Sequence, residues 1–218
     1  MSTVKQTPIV YLEHVRNTQR DNYDWGGKLP SWAQCFYASA VVALSTLIKI
    51  PQDKVQEYEL EYVDDTEVLV GKKGIAERLI MKFPWLTGRS GQWFIVHQNA
   101  IYERLINAGV AFKDVIMYDG SGLWSAKTGK KTVVNKTWEE VVDNPLMNGS
   151  FILTTGKFPP TNGHIVPIIG MTQDNYIVED PYGNALTEYK DTDGHDVQYS
   201  KEFMKKYCKG PIVIYVEF

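Results

Sequence analysis

The segment between Pro30 and Pro51 constrains this chain more than any other. Phe36, Ala40, Val41, Leu44 and Ile48 recur at helical spacing, and Ala38, Val42 and Leu47 widen the stripe. A helix with so much apolar surface is stable only inside a core. Ser31 and Gln34 stand at capping-box spacing just after Pro30, so the pattern predicts a helix from Ser31 to about Leu47, stopped by Pro51. With 218 residues, 44% of them hydrophobic and 22% charged, the chain suits one compact globular domain.

Around that helix the remaining signals divide the chain. A short strand is expected at Ile9–Leu12. Further helices are expected at about 52–63, 73–83 and 98–108, the last capped by Gly109. A strand at Val110–Met117 follows, then a loop-like stretch over 118–132 rich in glycine and lysine. Thr137 and Glu140 form a second capping box, opening a helix through Val142. Strands are expected at Phe151–Thr155, Ile165–Met171 and Tyr176–Glu179, then a short helix capped by Ser200 and a last strand at Ile212–Val216. Helices followed by an antiparallel sheet make an α+β plan within a single domain over 1–218, with a helical part at about 31–117, a soft boundary near 118–136 and a sheet part at about 137–218.

The chemistry concentrates in three places. Cys35 lies in the first turn of the apolar helix, where the macrodipole favours a thiolate. Trp32 flanks it, and small residues, Ala38 and Ser39, follow. A lone buried cysteine is more often a small core residue. The matched histidine raises the alternative. His164 follows roughly 130 residues later, the lower end of the thiol-to-histidine spacing in papain-like enzymes. It opens a buried strand entered through Gly163. Asp180 closes the next strand in Asp180-Pro181-Tyr182-Gly183, which by itself reads as a turn. Two adjacent antiparallel strands would set Asp180 beside His164, giving a nucleophile, a base and an orienting acid. His97 is the rival histidine; His14 and His195 lie in polar segments.

Three blocks carry a resemblance. Cys35-Phe36-Tyr37-Ala38-Ser39, Gly163-His164-Ile165-Val166 with Ile169-Gly170, and Asp180-Pro181-Tyr182-Gly183 resemble the bacteriocin-processing, double-glycine type of cysteine peptidase, and its stand-alone peptidase-like branch in particular. Arg20-Asp21-Asn22 resembles that branch's lead-in. The match covers about 9–48 and 137–184. It implies a papain-like fold, with the thiol helix packed on a C-terminal antiparallel sheet, and a Cys35–His164–Asp180 triad. The chain departs from the papain-like pattern upstream: the position six before Cys35 is Leu29, which donates nothing, and Gln34 faces the helix cap. Gln19, with Asn22 as alternative, is the candidate oxyanion donor, beside the Cys35 main-chain N–H. Trp32, Trp93 and Gly163 are candidate substrate contacts. The middle, about 50–136, has no counterpart in the blocks and is expected to recognise substrate, with Trp85, Trp93, Tyr102, Tyr118 and Trp124 available to line a cleft.

Other classes are disfavoured. A formal net charge of −3 argues against a nucleic-acid binder. No apolar run is long enough for a signal peptide or a membrane span. Two cysteines, Cys35 and Cys208, fit free thiols in a reducing cytoplasm. No Cys-x-x-Cys, His-x-x-x-His or phosphate loop is present, so neither metal nor cofactor is expected. The reading is therefore a monomeric cysteine peptidase cutting a peptide or isopeptide bond. A phage-type peptidoglycan endopeptidase, synthesised in the cytoplasm and released to the wall by a partner pore, is one form of it. A maturation or effector protease, or an inactive peptidase-like binding module, are the alternatives.

Overall fold

The computed structural model describes residues 6–20, 34–71, 89–161 and 163–218, without the side chains of 64–71 and 89–93. Helix α1 spans Gln34–Ser45, and every residue from Cys35 to Leu44 is buried. The expected capping box at Ser31 lies outside the described residues. Helices α2 (Val55–Gly71) and α3 (Arg89–Asn107) pack with α1. Gly109, at φ +71°, ends α3 as expected: its N–H donates to the Ile106 carbonyl while that of Val110 reaches Leu105. The helix expected at 73–83 lies outside the described residues.

Among the described residues the sheet has nine strands: β1 (Val10–Tyr11), β2 (Asp114–Tyr118), β3 (Gly122–Ser125), β4 (Lys131–Val133), β5 (Ile152–Gly156), β6 (His164–Met171), β7 (Asn175–Val178), β8 (Val197–Ser200) and β9 (Val213–Glu217). Their order is β4-β3-β2-β9-β5-β6-β7-β8, all pairs antiparallel. β1 continues the β5 edge of β6, pairing Val10 with Met171 and Tyr11 with Gly170. A side chain at Gly170 would put its Cβ 2.6 Å from the Val10 carbonyl oxygen, so the glycine permits this pairing.

The stretch 118–132 is not a loop: it carries β3 and the start of β4. Asp119 makes the difference. One of its carboxylate oxygens accepts from the N–H groups of Ser121 and Gly122, closing a tight turn. The other accepts from Trp124 Nε1 and Lys131 Nζ, tying β3 to β4. Glycines and lysines hid two short strands that such side-chain bonds hold. β8 was also absent from the expected elements, being only four residues long.

Among the described residues, two large apolar clusters cover the two faces, beside a small one of Val42, Ile169 and Ile177. One joins α1, α2 and α3 to β2, β5 and β9, through residues such as Val41, Leu44, Ile101, Leu105, Leu153 and Ile214. The other gathers helix α4 (Asn144–Met147), helix α5 (Lys201–Tyr207) and the turn before α4 around Val166, Ile168, Tyr176 and Tyr199. Both expected caps near these short helices form. The Thr137 and Glu140 groups bond reciprocally, and Ser200 Oγ accepts from the Phe203 N–H at 3.0 Å.

Candidate active site

Ser39 shows how the thiol helix is placed. Residues four apart share a helix face, so Ser39 stands one turn beyond Cys35 on the same side. Its hydroxyl donates to the Ile165 carbonyl at 2.9 Å. That bond fixes α1 against β6 one residue from His164. Asn17 adds a second anchor, its amide reaching the Ala38 carbonyl at 3.5 Å and Glu59 at 2.7 Å.

Asp180 reaches the same point from β7. The β6–β7 pairing sets Ile168 against Val178, and the Glu179 N–H continues to the Pro167 carbonyl. Asp180 therefore leaves the sheet beside the start of β6. His164 Nε2 lies 2.7 Å from Asp180 Oδ1. The Cys35 thiol hydrogen-bonds the same imidazole. All three residues are buried.

The carboxylate is surrounded by donors. Oδ1 also accepts from the Tyr182 N–H at 3.0 Å. Oδ2 accepts from Tyr199 Oη at 2.9 Å and Tyr189 Oη at 3.5 Å. Burial, and then the Asp180 charge, push both phenols above their ordinary value, so they remain protonated donors. Burial alone would lower the His164 pKa. The Asp180 charge and hydrogen bond, joined by Cys35, outweigh it and push the imidazole up to about 10. An imidazole held this way stays protonated at neutral pH and can give its proton to a leaving group.

The main chain around Asp180 is shaped for close approach. Its N–H donates to the Gly194 carbonyl at 2.8 Å. A Cβ on Gly194 would sit 1.9 Å from the Asp180 carbonyl oxygen, so only glycine fits there. Glu188 and Tyr189 hold left-handed backbone at φ 55° and 61°, and the Tyr189 ring meets the His164 ring edge-on at 5.9 Å. The lead-in segment docks on the same loop: the Gln19 N–H and the Thr18 hydroxyl both donate to the Pro181 carbonyl at 3.0 Å, and Arg20 Nε donates to that of Tyr182 at 2.7 Å. The Arg20 guanidinium also lies 4.2 Å from the Tyr182 ring centroid.

Of the expected site residues, the fold brings Cys35, His164 and Asp180 together and seats Gln19 on the Asp180 loop. The Gln19 side-chain oxygen is buried without a hydrogen-bond partner. Asn22 and Trp32 lie outside the described residues. Trp93 falls on α3, and its side chain lies outside them too. Gly163 is exposed, and a Cβ there would meet nothing within 4 Å. The rival His97 is a core residue. Its ring stacks on Phe36 with centroids 3.6 Å apart, Tyr62 Oη lies 3.0 Å from its Nδ1, and burial pushes its pKa down to about 3. Sequence reasoning missed Ser39, Tyr189, Tyr199 and Gly194 as supports of the site. Only Ser39, at i+4 from the thiol, carried a readable signal. A cleft of about 520 Å³ lies behind Asp180, lined by Asn17, Arg20, Gln56, Glu179, Asp193 and His195 among others; neither Cys35 nor His164 lines it.

No protein-family model matches this sequence, and no curated protein matches it. Among solved structures, the chain is similar to one from Bacillus anthracis, described provisionally as a C39-like peptidase. Identity is 16%, the TM-score is 0.35, and the match covers 56% of this chain and 58% of that one. The chain thus spans less than two thirds of that structure's length, and a likeness at this level carries no argument about activity.

Proposed function

We propose that this chain is a papain-like cysteine peptidase, with Cys35 as nucleophile, His164 as general base and acid, and Asp180 as the residue that orients the imidazole. The observation that carries the reading is the buried line from the Cys35 thiol through His164 to Asp180 Oδ1, closed by the 2.7 Å bond. A structural thiol needs no imidazole beside it, and an imidazole held by a carboxylate with three further donors is positioned well beyond what packing requires. The resemblance of the three sequence blocks supports the same assignment.

In this mechanism the Cys35 sulfur attacks the scissile carbonyl and forms a tetrahedral intermediate. His164 protonates the departing amine, giving an acyl-enzyme that water, deprotonated by His164, then hydrolyses. The Cys35 main-chain N–H supplies one oxyanion donor. Gln19 is the favoured side-chain donor, because its backbone is held on the loop after Asp180. Exposed Gly163, entering β6 beside His164, leaves room for a substrate main chain. Peptidoglycan stem peptides or cross-bridges are the substrate class put forward, with release to the wall through a partner pore.

The test separates chemistry from substrate. Iodoacetamide near pH 6 should alkylate Cys35 much faster than Cys208, whose thiol burial pushes up to about 12. Equal, slow rates would refute the nucleophile and leave a binding module. Purified protein incubated with sacculi should release fragments, read by mass spectrometry, and Cys35→Ala should release none. Fast alkylation with intact sacculi would keep the peptidase and discard peptidoglycan.

A further inference from the structure

A second group of titratable side chains converges away from the thiol. His14 follows β1, Glu179 follows β7, and His195 and Asp196 precede β8. One donor atom from each lies within 4.8 Å of those of the other three. His14 Nδ1 is 3.1 Å from the Leu12 carbonyl, which only accepts, so that nitrogen carries a proton. His14 Nε2 then faces Glu179 Oε2 at 3.3 Å and Asp196 Oδ1 at 3.8 Å. His195 lies between the same two carboxylates, with Nδ1 2.6 Å from Glu179 Oε2 and Nε2 3.2 Å from Asp196 Oδ2.

The charges decide what this arrangement can hold. The His14 and Glu179 side chains are 1% and 4% exposed, and the two imidazole centroids are 5.5 Å apart. The His195 and Asp196 side chains are 20% and 25% exposed, so the donors form a half-buried cluster with one open side. Two carboxylates gathered there leave negative charge that one divalent cation would balance.

We propose that His14, Glu179, His195 and Asp196 bind one first-row divalent cation of the Zn²⁺ class. Two imidazole nitrogens and two carboxylate oxygens suit such an ion and not Ca²⁺ or Mg²⁺, which take oxygen ligands. Bonds of about 2.0–2.2 Å in tetrahedral array place ligand atoms about 3.3–3.6 Å apart. The 3.3 Å between His14 Nε2 and Glu179 Oε2 and the 3.2 Å between His195 Nε2 and Asp196 Oδ2 lie near that spacing. With one donor atom from each residue the four lie within 4.8 Å of one another, so small side-chain shifts close them around an ion.

The surroundings fit ligation. The Leu12 carbonyl fixes the His14 tautomer, the Tyr11 hydroxyl donates to Asp196, and the Asp196 N–H donates to Glu179 Oε2 at 3.2 Å. His195 lines both the 520 Å³ cleft and a second of about 460 Å³, which gives an ion a route in. A bound ion would join the N-terminal strand, the end of β7 and the 191–196 loop, bracing Asp180 from behind. No metal was expected from the sequence, because the four donors come from opposite ends of the chain and share no short spacing. The site uses none of the peptidase residues and stands or falls separately from that reading.

The test uses the whole chain as wild type and as Cys35→Ala, which removes the thiol that would itself take up Zn²⁺. After chelation and desalting, each is dialysed against Zn²⁺, and bound metal and thermal unfolding are measured. Cys35→Ala should retain one equivalent and wild type at least one, and both should unfold at higher temperature with Zn²⁺ than with Ca²⁺ or Mg²⁺ and release protons on binding. His195→Asn and Asp196→Asn, at the partly exposed rim, should each weaken binding by at least about tenfold while keeping a wild-type far-UV spectrum. Three results would overturn the site: no stoichiometric metal in either form, undiminished affinity in both rim variants, or metal bound by wild type and lost in Cys35→Ala.

Discussion

Replacing Asp180 with asparagine tests what the buried carboxylate contributes. The amide fits in one orientation. Its oxygen replaces Oδ1 and still accepts from His164 Nε2 and the Tyr182 N–H. Its NH₂ group then replaces Oδ2 and meets the Tyr199 hydroxyl, which can turn its own proton toward the Gly183 carbonyl, 3.5 Å away, while the Tyr189 hydroxyl loses its long 3.5 Å acceptor. The imidazole keeps its orientation and loses only the charge of its partner. A hydrogen bond to a charged group contributes about 1.5–3 kcal/mol and a neutral one about 0.5–1.5, so the difference is about 1–1.5 kcal/mol. That corresponds to roughly a tenfold loss in rate. It is far smaller than the roughly 10⁴-fold loss seen where an asparagine forces the wrong tautomer.

The charge also sets the protonation of His164. Asp180 is the main contribution raising that imidazole to about 10, so the midpoint should fall by a unit or more in Asp180→Asn. The sign for stability follows. A folded-state pKa above the unfolded value of about 6.5 gives stability that is complete below pH 6.5 and lost as pH rises through 10. In the variant that loss should occur at lower pH. Titration of the His164 ring by NMR in both proteins reads the midpoint directly, and hydrolysis rates read the tenfold. An unmoved midpoint, or a variant as inactive as Cys35→Ala, would refute the argument.

Gly194→Ala drives a Cβ into the Asp180 carbonyl and should destabilise by about 1–3 kcal/mol with loss of activity, whereas Gly163→Ala, facing open space, should leave the melting temperature unchanged. Ser39→Ala should lower stability by about 1–2 kcal/mol in denaturant titrations, and slow Cys35 alkylation as well, since its hydroxyl is what holds α1 on β6. The neutral His97, with its pKa near 3, gives stability that is present above pH 6.5 and lost as pH falls toward 3, on the order of a few kcal/mol; His97→Gln should flatten this acid limb in melts across that range.

Several elements were legible because their determinants are local. The burial of α1 follows from a stripe too wide to face water, and Gly109, Thr137 with Glu140, and Ser200 marked helix ends through groups three or four residues apart. Cys35, His164 and Asp180 were readable for a related reason: each occupies the start or end of an apolar element, and antiparallel succession of β6 and β7 returns Asp180 to His164. The hairpin at 122–133 was not legible. Its stability lies in the Asp119 side chain bonding forward to Trp124 and Lys131, and hydrophobic alternation does not register such bonds. Tyr199 and Tyr189 reach Asp180 only because β8 pairs with β7 and a left-handed turn redirects the chain. His14 and His195 looked like isolated polar residues. They meet because β1 pairs with β6 and the 191–196 loop folds back along Asp180. Periodicity and capping act over a few residues, so the chain's order alone specifies them. Which distant donors surround one carboxylate depends on strand order and register, and these are settled only when the whole sheet forms.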